Sequence, residues 1–316
     1  MRDSFSGFLF PALIAGASLA SSPLAAQQAA APAPAIAGKL QPYIACINRL
    51  SGRAHDSEAR YRSWAKGSGP TGRERIIYGL YTIYDTKDCR AGVELAAKAQ
   101  PPHPELEKAG AEYAAAVTAL EGLLKEADDY YDQQNYKDDK MAKGKAMHPR
   151  LMAAFADFNR ADTTLRDVVQ RLNDAVQAEE IAAVEQREGR SMRWHVLSVM
   201  ARAKALQRVE GGDQDRIDLG RVQPALEAYE QIVRDIEAYA AANPGQKLGT
   251  FFLKASKDYL TSAKGLMRRV RDKTRYSRGD LMMLQSGGGW MIEGSPPRLL
   301  RDYNQLIDAY NRGPNI

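Results

Sequence analysis

Residues 104–133 read PELEKAGAEYAAAVTALEGLLKEADDYYDQ, and their apolar spacing decides the fold. Leu106, Ala109, Tyr113, Ala116, Leu120, Leu124, Ala127 and Tyr131 recur three or four apart throughout. That is one face of a helix, without the two-residue alternation of a half-buried strand. The same spacing spreads outward in both directions. Leu40, Tyr43, Ile47, Leu50, Ala54, Ser57, Tyr61 and Trp64 predict a helix over 39–65. Leu151, Phe155, Phe158, Leu165, Val169, Leu172 and Val176 open a long helix from about 149, which Leu197, Met200, Ala203 and Leu206 continue. Gly189 either breaks that segment or sits inside it. Gly211-Gly212 and Asn243-Pro244-Gly245 are stops, and helices are expected over 222–242 and 248–276. A last helix over 296–311 starts with Ser295 as N-cap and Pro296 at the first helical position. Over 73–98 the signals conflict. Thr71 and Glu74 have capping-box spacing, whereas Ile76, Ile77, Tyr78, Tyr81, Thr82, Ile83 and Tyr84 suit strands; the context favours a helix. The expectation is an all-α fold, an elongated antiparallel bundle of long helices forming a single domain over 39–316.

The 316 residues are 44% hydrophobic and 26% charged, a globular composition that excludes a disordered or collagen-like chain. Residues 1–26 read as a secretory signal peptide, with Arg2 offset by Asp3, an apolar stretch from Phe8 to Leu19, and a cleavage site after Ala25-Ala26. A membrane-spanning helix is the competing reading, but the stretch falls short of the ~20 apolar residues a span needs. No cysteine lies near the cleavage site, so a lipid anchor is not expected. The Ala/Pro-rich residues 27–38 are expected to form a flexible arm. The protein is thus placed in the periplasm or secreted as a soluble chain, which makes nucleic acid a poor partner.

No motif for chemistry survives inspection. Gly67-Ser68-Gly69-Pro70-Thr71-Gly72 matches G-x-G-x-x-G literally, but a helix rather than a strand precedes it and Pro70 lies inside, so a helix–helix loop is the better reading. His55, His103, His148 and His195 are too scattered for a helical imidazole pair, and no metal or cofactor is expected. Nucleophile elbow, phosphate loop, zincin and haem-attachment patterns do not occur.

Three features remain. Cys46 and Cys89 are the only thiols. In an oxidising compartment, on adjacent helices, they are expected to pair; two unpaired buried cysteines are the alternative. Tyr130, Tyr131, Asp132, Tyr136, Asp138 and Asp139 cluster at a corner that is a candidate cation or small-ligand site. The plainer reading is a solvated turn with Tyr131 inward and the aspartates outward. Residues 254–278 hold nine Lys or Arg against Asp258 and Asp272, within a chain of net charge +5. On the 248–276 helix, Lys257, Lys264, Arg268, Arg271 and Arg275 form a candidate anion-binding stripe, with an ordinary solvated face as the alternative. Its partner would be anionic envelope lipid, a polyanionic polymer or an envelope protein.

Four stretches resemble the YiiG-like family of bacterial envelope proteins, a domain of unknown function. They are Tyr43 to Asn48, Gly69 to Glu74 with Tyr78 to Tyr81, Tyr130 to Lys140 running on to Gly144-Lys145 and His148, and Glu293 to Pro296 with Tyr303-Asn304 and Tyr310-Asn311. The resemblance covers residues 40–312 and brings no catalytic residues; it implies an envelope protein, often a lipoprotein, although this chain lacks the lipidation cysteine. The resulting expectation is an exported, non-enzymatic protein that binds or scaffolds through helix faces. The alternative is a ligand or cation binder using the corner at 128–139.

Overall fold

The computed structural model describes residues 33–210, 217–246 and 248–314; the expected signal peptide and most of the expected arm lie outside them. Among the described residues the chain is helical and contains no strand. It divides between Val176 and Gln177 into two compact units.

The first unit is an antiparallel bundle. Its opening rod is α1 (Ala33–Cys46), a π-helical turn (Ile47–Ser51) and α2 (Gly52–Trp64). Residues 33–38, expected in the arm, are therefore helical: their alanines favour helix once Leu40 and Tyr43 are anchored in the core. All eight residues of the expected apolar face, from Leu40 to Trp64, are buried. The wider π turn also brings Ser51 inward beside Leu50. α4 (Pro104–Asp132) runs parallel to the rod, and residues 142–176 of α5 (Ala142–Glu188) run antiparallel to both. The directions follow from cross-links: Lys39 to Glu107 and Ser51 to Tyr113 for the first pair, and Ser51 to Asp162, Tyr61 to His148 and Glu105 to Arg171 for the second. Gly110 lets α4 pass close to the rod, since a Cβ there would stand 2.2 Å from the Tyr43 ring.

The fourth leg is mixed. α3 (Thr86–Lys98) packs on α1 and α4, but residues 73–85 are not helical. The helix expected over 73–98 is thus halved. Its first half is an extended strap laid back along α2, where Arg60 Nε donates to the Gly79 carbonyl and Arg53 Nε to that of Thr82, each at 2.6 Å. Leu80 and Ile83 point inward while Tyr78, Tyr81 and Tyr84 stay exposed. Their three-residue period is that of an unpaired extended chain, not of a helix. The disulfide Cys46–Cys89 joins α1 to α3, with Cα atoms 5.2 Å apart.

The second unit packs α6 (Met192–Glu210), α7 (Leu219–Ala242), α8 (Thr250–Arg271) and α10 (Pro296–Asn311) around Val199, Leu206, Tyr229, Ile236, Phe252, Tyr259, Leu266 and Leu306. Gly189, at φ +66°, ends α5. Ser295 caps α10 by accepting from the Arg298 amide at 3.2 Å. α8 ends at Arg271, short of the expected 276, and the short α9 (Arg278–Gln285) follows, opened by a Ser277–Asp280 capping box.

Candidate functional site

The tyrosine–aspartate corner folds around the turn between α4 and α5. Tyr130 and Tyr131 are buried, Tyr136 is half-buried, and Asp132 and Asp138 are exposed. Asp139 is consumed locally. Its carboxylate accepts from the Lys143 amide at 2.8 Å and from the Tyr130 hydroxyl at 2.7 Å, bonds that hold its pKa below the usual carboxylate range. Among the described residues no group of three metal-ligating side chains converges here or elsewhere. The candidate corner is therefore a turn capped by Asp139, and on α4 beside it Asp128 and Asp132 both lie against Gly79.

Beside it lies a concave site of opposite sign. The loop after α2 is shaped by Glu74, whose carboxylate accepts from the Thr71 amide (2.6 Å), the Thr71 hydroxyl (2.8 Å) and the Gly72 amide (2.8 Å). Burial opposes ionisation of Glu74, but these bonds outweigh it and lower its pKa. The loop amides are thus occupied by the chain's own carboxylate, and the literal G-x-G-x-x-G follows a helix; it is no dinucleotide cradle. Gly69 and Gly72 adopt left-handed φ of +95° and +82°. Gly69 abuts the His148 ring, where a Cβ would stand at 3.2 Å, and Gly72 abuts Met141 at 3.3 Å. His148 is itself fixed: its Nδ1 lies 2.8 Å from the Tyr61 hydroxyl and its Nε2 3.3 Å from the Gly67 carbonyl, which assigns Nε2 as the protonated nitrogen. A cleft of about 440 Å³ results, lined by Ser68, Gly69, Pro70, Thr71, Arg73 and Lys145.

A buried polar network was not legible as a motif. Ser51 Oγ donates to Asp162 Oδ1 at 2.6 Å and contacts the Tyr113 hydroxyl at 2.8 Å. His55 Nε2 and Arg166 Nε meet Asp162 Oδ2 at 3.0 and 2.9 Å. Serine, histidine and aspartate do assemble, but the aspartate sits between the other two. The histidine therefore cannot take a proton from the serine, and the arrangement is not a nucleophilic triad. The available signal was Asp162 itself, which interrupts the apolar series between Phe158 and Leu165.

In the second unit the expected basic stripe is split. Lys257 and Lys264 reach α7 and pair with Glu237 and Glu230, the latter at 2.6 Å. Arg268 and Arg271 are exposed on the last turn of α8, Arg271 pairing with Asp272 at 2.8 Å. Arg275 lies beyond the helix end, so it does not continue the helical face. Exposed apolar side chains follow this basic end: Leu281, Met282, Trp290, Met291 and Leu300. Arg301 stacks on Trp290 at 4.5 Å.

Residues 35–312 match the model of a protein family described as "Protein of unknown function (DUF3829)". The chain belongs to that family. It is similar to "Uncharacterized protein YiiG" of Escherichia coli (strain K12), at 33% identity over 278 residues, 86% of this chain and 78% of the relative. No solved structure matches. Within this DUF3829 chain, the second and third stretches that carried the resemblance, around Gly69–Glu74 and Tyr130–His148, meet at the cleft.

Proposed function

We propose that this DUF3829 protein is an exported, non-enzymatic protein of the cell envelope that binds the surface of anionic lipid bilayers through its second unit. The observation that carries this reading is the stretch 268–301. Exposed Arg268, Arg271, Lys273, Arg275 and Arg278 lead directly into exposed Leu281, Met282, Trp290 and Met291. Cations attract anionic headgroups over a Debye length, and apolar and indole side chains partition at the headgroup boundary. The leader-like start of the sequence and the Cys46–Cys89 disulfide support export to an oxidising compartment. No helix among the described residues is long and apolar enough to cross a membrane, so attachment would be peripheral. For the alternative, a cation site at the corner 128–139, Asp139 is already engaged by the Lys143 amide and the Tyr130 hydroxyl.

Co-sedimentation with phosphatidylglycerol and phosphatidylcholine vesicles tests the reading. Binding should require the anionic lipid and weaken with salt. Each basic residue near such a surface is worth about 1 kcal/mol, so changing Arg268, Arg271 and Arg275 together to Gln should weaken binding at least tenfold with helix content unchanged. Equal binding by wild type and triple variant would leave the basic end a solubility feature.

A further inference from the structure

We propose that the cleft between the loop 68–73 and the start of α5 is a binding site for a small oxyanion, a phosphate or phosphoester group held by Arg73 and Lys145. This goes beyond the lipid-surface reading: it concerns the other unit and a concave site.

Arg73 and Lys145 come from different elements yet line one cleft. Neither makes an ion pair among the described residues, although nearby cations do: Lys143 and Arg150 both reach Glu126, at 3.3 and 3.7 Å. Two solvent-exposed cations lining one cleft attract an anion, and neither has a carboxylate of its own to compete for it. Glu74, the loop's carboxylate, does not line the cleft, and its oxygens are engaged by Thr71 and Gly72. Ser68 adds a hydroxyl to the lining, whereas the Thr71 hydroxyl is already donated to Glu74. A guanidinium fork with a lysine point charge and one serine hydroxyl is a donor set suited to phosphate oxygens. The volume of about 440 Å³ suits a small ligand.

The walls are preorganised. Gly69 and Gly72 hold left-handed turns against His148 and Met141. Lys140 and the fully buried Met141 also have positive φ, +54° and +68°. Non-glycine residues persist in that region only where their surroundings enforce it, and such outliers gather at ligand sites.

The test is an amide-resolved NMR titration of the exported chain. Inorganic phosphate is one arm and a short-chain phosphatidylglycerol below its micelle concentration is the other. Saturable shifts at Ser68, Thr71 and Arg73 are expected. Arg73→Gln and Lys145→Gln should each weaken binding about tenfold, with the helical spectrum unchanged. The Arg268, Arg271 and Arg275 triple variant should bind phosphate like wild type, which separates this site from the lipid-surface reading. Saturation by inorganic phosphate identifies a free-phosphate site, and saturation by the short lipid alone identifies a headgroup site; both support the proposal. Absence of saturable shifts in both arms, or equal shifts in Arg73→Gln, would overturn it.

Discussion

The first unit buries Asp162 in its helical core and the second buries Glu210 and Asp302, and Asp162 and Glu210 are treated in opposite ways. Asp162 of the first unit is surrounded. Burial alone would raise its pKa, but His55, Ser51 and Arg166 outweigh it, and the net shift is downward. Glu210, fully buried at the end of α6, has no hydrogen bond of good geometry among the described residues. Burial pushes it up to about 8, against a smaller lowering contribution from the Met267 backbone. The first unit thus carries a wired carboxylate, whereas the second holds an unwired one, Glu210, beside a wired one, Asp302, which accepts from the Ser262 hydroxyl and lies 3.9 Å from Arg298. The first unit repeats the pattern at Lys39, which donates to the Ala99 and Pro101 carbonyls at 2.8 Å and pairs with Glu107. It also holds both cysteines. A buried charge is tolerated where partners satisfy it, and otherwise the group gives up its charge.

The largest expected effect breaks the first unit alone. Cys46 and Cys89 are separated by 43 residues, and closing a loop of that length contributes about 4 kcal/mol in the loop-entropy model. The Cys46→Ser/Cys89→Ser variant should lower the denaturation midpoint of the first unit and leave amide exchange in α7 and α8 unchanged. Equal loss of protection in both units would show that they do not unfold independently.

The second effect is a pair of opposed pH dependences. The ordinary value for a glutamate is 4.5, and burial raises that of Glu210 to about 8 in the fold. Below 4.5 both states are protonated. Between the two values only the unfolded chain ionises, so the second unit should lose about 1.4 kcal/mol per pH unit as pH rises. Asp162 acts in reverse: with its folded pKa below the ordinary aspartate value of 3.8, its contribution is present above that value and is lost as pH falls through the folded one. Hydrogen exchange from pH 5 to 8 should show α6 and α8 losing protection while α2 and the first half of α5 do not. Glu210→Gln should abolish the slope and stabilise the second unit at pH 8. A slope surviving in that variant would assign it to another group.

These internal arrangements were unevenly legible in the sequence. The helices of 104–133 and 296–311 were read because their signals are local: apolar spacing in one, and Ser295-Pro296 in the other. The disulfide followed from there being only two cysteines. What failed depended on neighbours distant in sequence. A helical wheel of α8 places Lys257 and Lys264 away from the core, but it cannot show that α7 brings Glu237 and Glu230 to them. The Thr71–Glu74 pair forms the backward contact of a capping box, Glu74 to the Thr71 amide, yet no helix follows. The β-branched and aromatic run from Ile76 to Tyr84 prefers extended backbone, and α2 supplies the arginines that hold it. The candidate cleft was not legible because Arg73 and Lys145 lie far apart in sequence and belong to no shared spacing.

The smallest expected effect tests whether the wiring of the first unit extends to its strap. Arg60 stacks on Tyr78 at 4.6 Å and Tyr81 at 4.8 Å, and Arg53 on Tyr81 at 5.3 Å and Tyr84 at 5.8 Å. Both arginines also donate to strap carbonyls. These groups are solvent-facing, where a cation–π contact is worth about 0.5–1 kcal/mol and a net hydrogen bond about 1. Between residues 73 and 85 Leu80 and Ile83 anchor the strap in the core, and the half-buried Ile77 packs against it. Arg53→Gln/Arg60→Gln should therefore favour local opening by about 2 kcal/mol, seen as faster amide exchange and proteolysis across 75–84. Global unfolding should change by less than the disulfide variant changes it, because the rod, α4 and α5 keep their shared core when the strap lifts. If the double variant destabilised the unit as strongly as loss of the disulfide, the strap would be part of the cooperative core, and the contrast between the units would rest on more than Asp162 and the cysteines.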